Sequence, residues 1–231
     1  MRRALGPLLA VLALAGCGGT SSSTHATTAS PPAATTSAAA TSTRCKTVPK
    51  PPSKGLSQLK PPSYRLNPGR VYTVTVDTNC GTFAFTLDVK QSPKTSASFY
   101  SLVKRGFFDD TIFHRVVPGF VIQGGDPTGT GTGGPGYTVV EPPPRNTQYV
   151  FGDVAMARSQ AQPSGASGSQ FFIVIAANAT QSAGLTPTYA LLGKLVSGQK
   201  VVTTIGTLPT DANETPTPAV VMSNVTVSVG R

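Results

Sequence analysis

The 231-residue chain has no tryptophan, two histidines, three cysteines, and nine acidic residues against 19 lysines and arginines. Each shortage excludes something. Of the histidines, His25 lies in a low-complexity stretch and only His114 lies among patterned sequence, so a histidine-based metal centre has no second ligand. No metal or cofactor is expected. No Ser-His-Asp order is evident, and the adjacent Asp109 and Asp110 sit in a turn rather than facing each other as a hydrolytic pair. The apolar run Ala4 to Ala15 stops well short of the roughly 20 residues that a membrane-crossing helix needs. The formal charge of +10 is spread out, with no basic run of five or six and no interleaved aromatics. That pattern does not make a nucleic-acid footprint. It suits a protein that lives beside an anionic envelope. What is plentiful is glycine (24), proline (21) and an apolar share of 39%, which together predict a β-rich fold with many turns.

The first residues read as an address. Arg2 and Arg3 precede the short apolar run, as in a secretion signal. Leu14-Ala15-Gly16-Cys17 resembles the bacterial lipoprotein signal, in which an aliphatic and two small residues precede a cysteine that is lipidated and becomes the mature N-terminus. The expected organisation is a signal peptide over 1–16, then the lipid-bearing Cys17 and a Ser/Thr/Ala/Pro tether over 17–43. An extended lead-in follows over 44–69, and one folded domain over 70–231. The expected location is outside the cytoplasm, on the cell membrane. The tether cannot bury enough apolar surface to offset the entropy of ordering. With Cys17 taken by lipid, Cys45 and Cys80 remain as an even pair in an oxidising compartment. They are either two small buried residues or, the preferred reading, a disulfide.

Regular patterning begins at Arg70. Val71 to Val76 and Thr82 to Leu87 alternate around Asp77-Thr78-Asn79-Cys80-Gly81 and predict a hairpin. Ser92 and Pro93 open a predicted helix as N-cap and first residue, with Phe99, Leu102 and Val103 on one face and Gly106 beyond its end. Strands are predicted over 116–123, 150–156, 171–175 and 191–196. Ser197 is predicted to cap a short helix through Val201, Val202 and Ile205, and Val225, Val227 and Val229 form a last strand. Many strands with few helices suggest a closed barrel or a sandwich. No internal repeat is seen.

The informative stretch is Phe113-His114-Arg115-Val116-Val117-Pro118-Gly119-Phe120-Val121-Ile122-Gln123-Gly124-Gly125-Asp126, followed later by Gly168-Ser169-Gln170-Phe171-Phe172-Ile173. The Gly-rich loop after it lacks the Gly-Lys-Ser/Thr ending of a phosphate-binding loop. These two segments resemble the signature of the cyclophilins, peptidyl-prolyl cis-trans isomerases. The likeness runs over residues 70–231 and includes Gly106-Phe107-Phe108-Asp109 and Leu192-Gly193-Lys194.

The resemblance implies a mainly β fold, a closed eight-stranded antiparallel barrel capped by two helices. It implies that proline-containing polypeptides are the partners and that the protein works as a monomer. It makes Arg115 the catalytic cation and Gln123 its helper in binding the substrate backbone. Phe120, Val121, Phe172, Leu185 and Tyr189 line the proline pocket, and Gln170 stands at its rim. His114 is structural support. Val121 stands where methionine is common, Arg158 where asparagine is, and Tyr189 where histidine is. The tryptophan that many members place at the pocket edge, where it contacts the drug cyclosporin, has Gly184 as its nearest counterpart. Taken alone, each apolar residue would as readily be plain core. A proline-peptide-binding chaperone or adaptor with little turnover is the alternative to an enzyme, since a fold by itself does not decide between them.

Overall fold

The computed structural model describes residues 44–231. The expected signal peptide, the lipid site Cys17 and the tether lie outside the described residues. The strands are β1 (Val71–Thr78), β2 (Gly81–Leu87), β3 (Thr111–Val117), β4 (Val121–Asp126), β5 (Val139–Val140), β6 (Asp153–Met156), β7 (Ala166–Ser167), β8 (Phe171–Val174), β9 (Leu191–Ser197) and β10 (Val220–Gly230). The helices are α1 (Pro93–Lys104), the single turn α2 (Ala179–Ser182) and α3 (Gln199–Gly206). Eight strands close into a barrel in the order β1-β10-β3-β4-β8-β6-β9-β2, and β5 and β7 form a separate small ladder. Every barrel pair is antiparallel. Helix α1 packs against β9 and β10, and α3 against β2, β3 and β4.

Period-two alternation explains what fills the barrel. Val74, Val76, Phe83, Phe85, Phe113, Ile122, Val154, Phe171, Ile173 and Leu192 point into one buried cluster, which Phe99 and Leu102 of α1 join. Phe99 stacks on Phe108 at 4.6 Å between ring centroids and meets Phe171 edge-on at 5.4 Å. Such pairs add about 0.5–1.5 kcal/mol each beyond the area they bury.

Several local expectations are corrected. The predicted strand over 116–123 is two strands. Val117-Pro118-Gly119-Phe120 reverses the chain, with Gly119 at φ +73° and the Phe120 N–H donating to the Val117 carbonyl at 3.0 Å. Proline followed by a left-handed glycine is the chemistry of a type II turn. The strand predicted over 150–156 begins at Asp153, because Phe151-Gly152 turns. Ser92 does occupy the N-cap of α1, but its side chain caps nothing. Instead, the carboxylate of Glu141 accepts from the N–H groups of Lys94 (3.2 Å) and Thr95 (2.9 Å). Acid at a helix N-terminus is the favourable sign. Ser197 does not cap α3, since it is paired to Ala84 within β9, and left-handed Gly198 takes that position.

The lead-in, residues 44–69, contains no helix or strand, yet it is fastened to the barrel along its length. Cys45 is disulfide-bonded to Cys80 in the β1–β2 turn. The Lys46 N–H donates to the Asn79 carbonyl, Lys54 N–H to that of Pro127, and Leu59 N–H to that of Pro135, at 2.8–2.9 Å. Leu66 enters the core.

Candidate active site

The same alternation that sends Ile122, Phe171, Ile173 and Val154 inward sends their neighbours outward. Val121 on β4, Phe172 and Val174 on β8 and Ala155 on β6 form a second apolar cluster outside the barrel. Tyr149, Ala176, Ala179 and Leu185 belong to it, and Phe120, Tyr189 and Leu191 pack against it partly exposed. The five apolar residues expected around a proline ring, Phe120, Val121, Phe172, Leu185 and Tyr189, thus come together in one place. The Tyr189 ring meets Phe172 edge-on at 5.4 Å and Tyr149 at 6.4 Å. The Tyr149 hydroxyl donates to the Tyr189 carbonyl at 2.6 Å and accepts from its N–H at 3.1 Å. Burial pushes that hydroxyl up to about 12, so it stays protonated and keeps the Tyr189 backbone in register with the wall.

Strand register places the polar residues beside this cluster. Arg115 of β3 is paired with Gln123 of β4, Gln123 with Phe172 of β8, and Phe172 with Ala155 of β6. Cross-strand partners share a face, so cation, amide and aromatic stand in one row across the barrel wall. A bulge on β3 helps. Phe113 pairs with Gly124 and Arg115 with Gln123, so His114 is the extra residue. Phe113 can therefore point into the core while Arg115 still faces out.

The row is locked by a line of hydrogen bonds. Arg115 Nη1 donates to Gln123 Oε1 (3.3 Å), and Gln123 Nε2 donates to Gln170 Oε1 (3.0 Å). Gln170 Nε2 donates to the carbonyls of Gly131 and Gly133, both at 2.9 Å. Those carbonyls are held in turn by Asp126. Its buried carboxylate accepts from the N–H groups of Thr128, Thr130, Gly131 and Gly133 and from the Thr128 hydroxyl, at 2.6–3.1 Å. Burial alone would raise Asp126, but these bonds outweigh it and hold the carboxyl below its usual value. The Gly-rich loop is thus a scaffold wound around one acid. Gly125 is a forced choice: at φ +85°, a Cβ there would stand 2.5 Å from the Ser169 carbonyl.

At its other end Arg115 meets a residue that the motif does not contain. Its Nε donates to Glu214 Oε2 at 2.5 Å. Arg158 does not reach toward Arg115. It donates to the carbonyls of Ser159, Gln162 and Thr188 and lies 5.3 Å over the Tyr189 ring, clamping two loops behind the pocket. Gly184 is exposed and has nothing within 4 Å of where a Cβ would be, so the pocket edge is open there. His114 is buried with both ring nitrogens unpartnered. Burial lowers its pKa, opposed by Asp126 and reinforced by Arg115 and Lys50.

Next to the apolar cluster runs a cleft of about 880 Å³. It shares Gln123, Gln170, Ala157 and Arg158 with the site, and the loop from Gly131 to Thr138 forms its floor. Leu56, Ser57 and Gln58 of the lead-in form part of its wall. Glycine at 136 permits this approach: its φ is +88°, and a Cβ would lie 2.5 Å from the Ser57 carbonyl. Asp126 and Arg158 stand in the motif and beside it, but their contacts have no signal in the sequence, and neither Glu214 nor the lead-in wall has one. Among the described residues no three His, Cys, Asp or Glu side chains gather as a metal site, and no helix is long and apolar enough to cross a membrane.

A family model described as "Cyclophilin type peptidyl-prolyl cis-trans isomerase/CLD" matches residues 73–227. The chain belongs to this family of enzymes. It is 36% identical over 173 residues to a probable peptidyl-prolyl cis-trans isomerase A of Mycobacterium leprae, covering 68% of this chain and 92% of the relative. The Mycobacterium tuberculosis peptidyl-prolyl cis-trans isomerase A is 35% identical over the same share. A cyclophilin-type isomerase of Cryptosporidium parvum, crystallised in the presence of the dipeptide Ala-Pro, superposes with a TM-score of 0.61. It is 34% identical, over 68% of this chain and 98% of that one.

Proposed function

We propose that the chain accelerates rotation about X–Pro bonds in polypeptides outside the cytoplasm, held to the membrane by a lipid on Cys17, and so assists their folding. The barrier to that rotation is about 18–20 kcal/mol, and unassisted exchange takes tens to hundreds of seconds. Raising the rate by about five decades means removing about 7 kcal/mol, at 1.36 kcal/mol per decade. No bond is made or broken. In the twisted state the prolyl nitrogen regains its lone pair, and a fixed donor beside it favours that state over the planar one.

The observation that carries the reading is the row Arg115, Gln123, Phe172, with a permanent cation edging an apolar cluster. Phe120, Val121, Phe172, Leu185 and Tyr189 take the proline ring, and Gln123 and Gln170 meet the client backbone. Arg115 supplies the charge, since a guanidinium keeps its proton and presents a rigid fork of donors.

The test is a protease-coupled assay on a proline-containing peptide. Arg115→Ala is expected to lower kcat/KM about a hundredfold, 2.7 kcal/mol of transition-state binding, with an unchanged melting temperature. Near-normal turnover in that variant removes Arg115 from the mechanism. Suppression of client aggregation without isomerisation in the unaltered chain would mark a chaperone instead. The anchor is tested separately. Cys17→Ser should abolish palmitate labelling and release the protein from membranes, and a mature form that keeps residues before Cys17 would overturn it.

A further inference from the structure

Glu214 lies on the connection between α3 and β10, 99 residues from Arg115 in the chain. The connection is tightly built. Thr210 bridges Pro216, and the Thr217 N–H donates to the Pro209 carbonyl at 2.8 Å. The Asp211 carboxylate accepts from the N–H groups of Asn213 (2.8 Å) and Thr215 (2.9 Å), and the Glu214 N–H donates to the Asp211 carbonyl at 3.0 Å. Those backbone bonds, Thr215 first, keep the Asp211 carboxyl below its usual range. At the apex Glu214 holds φ +63°, a left-handed conformation uncommon outside glycine. Its carbonyl accepts from the N–H of Val116 at 2.7 Å, docking the loop on β3 one residue from Arg115. Its carboxylate takes Arg115 Nε at 2.5 Å.

We propose that Glu214 is a positioning residue for Arg115: together with Gln123 it holds the guanidinium from two sides and turns the remaining donors toward the apolar cluster. The inference rests on the reading of Arg115 as the catalytic cation. A guanidinium has five N–H donors. Nε is engaged by Glu214 and Nη1 by Gln123, and Nη2 has no protein partner among the described residues. The two side chains of the ion pair are 35% and 43% exposed. A pair this exposed adds little to folding stability, so stability does not explain a loop that places a left-handed carboxylate at the end of a catalytic side chain. Orientation does. An arginine on a barrel wall has several rotamers of similar energy, and a donor aimed at a nitrogen in transit must occupy one of them.

Two truncations and one conservative change test this in the full chain. Glu214→Ala and Glu214→Gly are each expected to lower kcat about tenfold with KM little changed, the signature of an interaction used in the transition state. Glycine suits the left-handed backbone and guards against an alanine variant that misfolds. Glu214→Gln keeps an acceptor for Nε and is expected to stay within about threefold of the unaltered protein. In an Arg115→Ala background, Glu214→Gly should cost nothing further, because the two residues act as one unit. Nitrogen-resolved NMR gives a readout independent of turnover. The Arg115 Nε–H signal should be dispersed and slow to exchange in the unaltered protein and in Glu214→Gln, and should collapse into the exposed-arginine envelope in the truncations. Unchanged or faster turnover on truncation would overturn the proposal, showing that the carboxylate only damps the cation. A glutamine variant as impaired as the truncations, additive losses in the double variant, or an Nε–H signal indifferent to Glu214 would overturn it too. If the unaltered chain does not isomerise proline peptides, the functional reading fails, while the NMR signal still decides whether Glu214 orients Arg115.

Discussion

Two apolar clusters share the same strands and differ in almost everything else. The inner one is closed, rich in phenylalanine stacked on phenylalanine, and its central side chains are fully buried. The outer one is smaller, edged by partly exposed Phe120 and Tyr189 and bordered by Arg115 and Gln123. Strands β4, β6 and β8 contribute alternate residues to each, Ile122 inward and Val121 outward, Phe171 inward and Phe172 outward. The barrel therefore presents a binding surface without opening its core, and changes to the two faces should separate stability from activity.

Phe171 and Phe172 test that separation most directly. Phe171→Ala removes a ring that touches Phe85, Phe99, Phe108 and Phe113, and should cost about 3–5 kcal/mol of unfolding free energy. Phe172 is buried too, 4% exposed, but it packs on partly exposed Tyr189, so Phe172→Ala should cost less, near the lower end of about 3–5 kcal/mol. It should nonetheless lower kcat/KM at least tenfold. Equal losses of stability in denaturant titration would mean that the two faces are one core.

The lead-in sharpens the comparison by adding a third region that is neither core nor pocket. Its disulfide closes a loop with a sequence separation of 35, so Cys45→Ser with Cys80→Ser should destabilise by about 3–4 kcal/mol in the chain-entropy account. Free thiols in the intact mass of the alkylated, non-reduced protein would contradict the bond.

At the open edge of the outer cluster, Gly184 offers neither an indole N–H nor an aromatic wall. Losing one hydrogen bond, about 0.5–1.5 kcal/mol, and about 1–2 kcal/mol of apolar contact should weaken cyclosporin ten- to several-hundredfold relative to members with that tryptophan. A titration of the isomerase assay with the drug reads this. Half-inhibition at low nanomolar concentration would mean that another residue covers the drug.

The smallest effect is expected from His114, the bulged residue of β3. Its pKa is depressed by burial, so the unfolded chain takes up its proton first as the pH drops. The stability it contributes is full above its ordinary value of 6.5 and is lost as the pH falls from there through the lower folded value. Asp126 adds the same sign of dependence only below its ordinary 3.8. Thermal melts at pH 7 and pH 5 should therefore differ, and His114→Leu should flatten that slope. A slope that survives the substitution would assign it elsewhere.

Much of the barrel was legible because its signals are local. Val71 to Val76 and Thr82 to Leu87 alternate, and the hairpin sits where they place it. The motif residues come as a set, but the apolar run over 116–123 reads as one strand and hides the turn at Pro118-Gly119. Only the hairpin that this turn creates makes Arg115 and Gln123 direct partners. What stayed hidden is long-range. Glu141 caps a helix from 46 residues away and Glu214 reaches Arg115 from 99 away, and neither has a periodicity or spacing to betray it. Ser197 looked like a cap because serine often is one, but pairing in β9 prevailed. The lead-in has no period at all, so its place beside the cleft could not be read.

The lead-in also bears on where the folded unit begins. Family likeness starts at residue 73, and a chain trimmed to that boundary would seem to keep the whole enzyme. It would lose Cys45 and leave Cys80 as a lone thiol, strip Leu66 from the core, and take away the Leu56–Gln58 wall of the cleft. The carbonyls of Asn79, Pro127 and Pro135 would each lose the N–H that now donates to them. Homology draws the border at the first shared strand, whereas covalent and hydrogen-bonded continuity draws it near residue 45. Any measurement of activity, drug response or stability on this protein depends on which of the two borders the preparation respects.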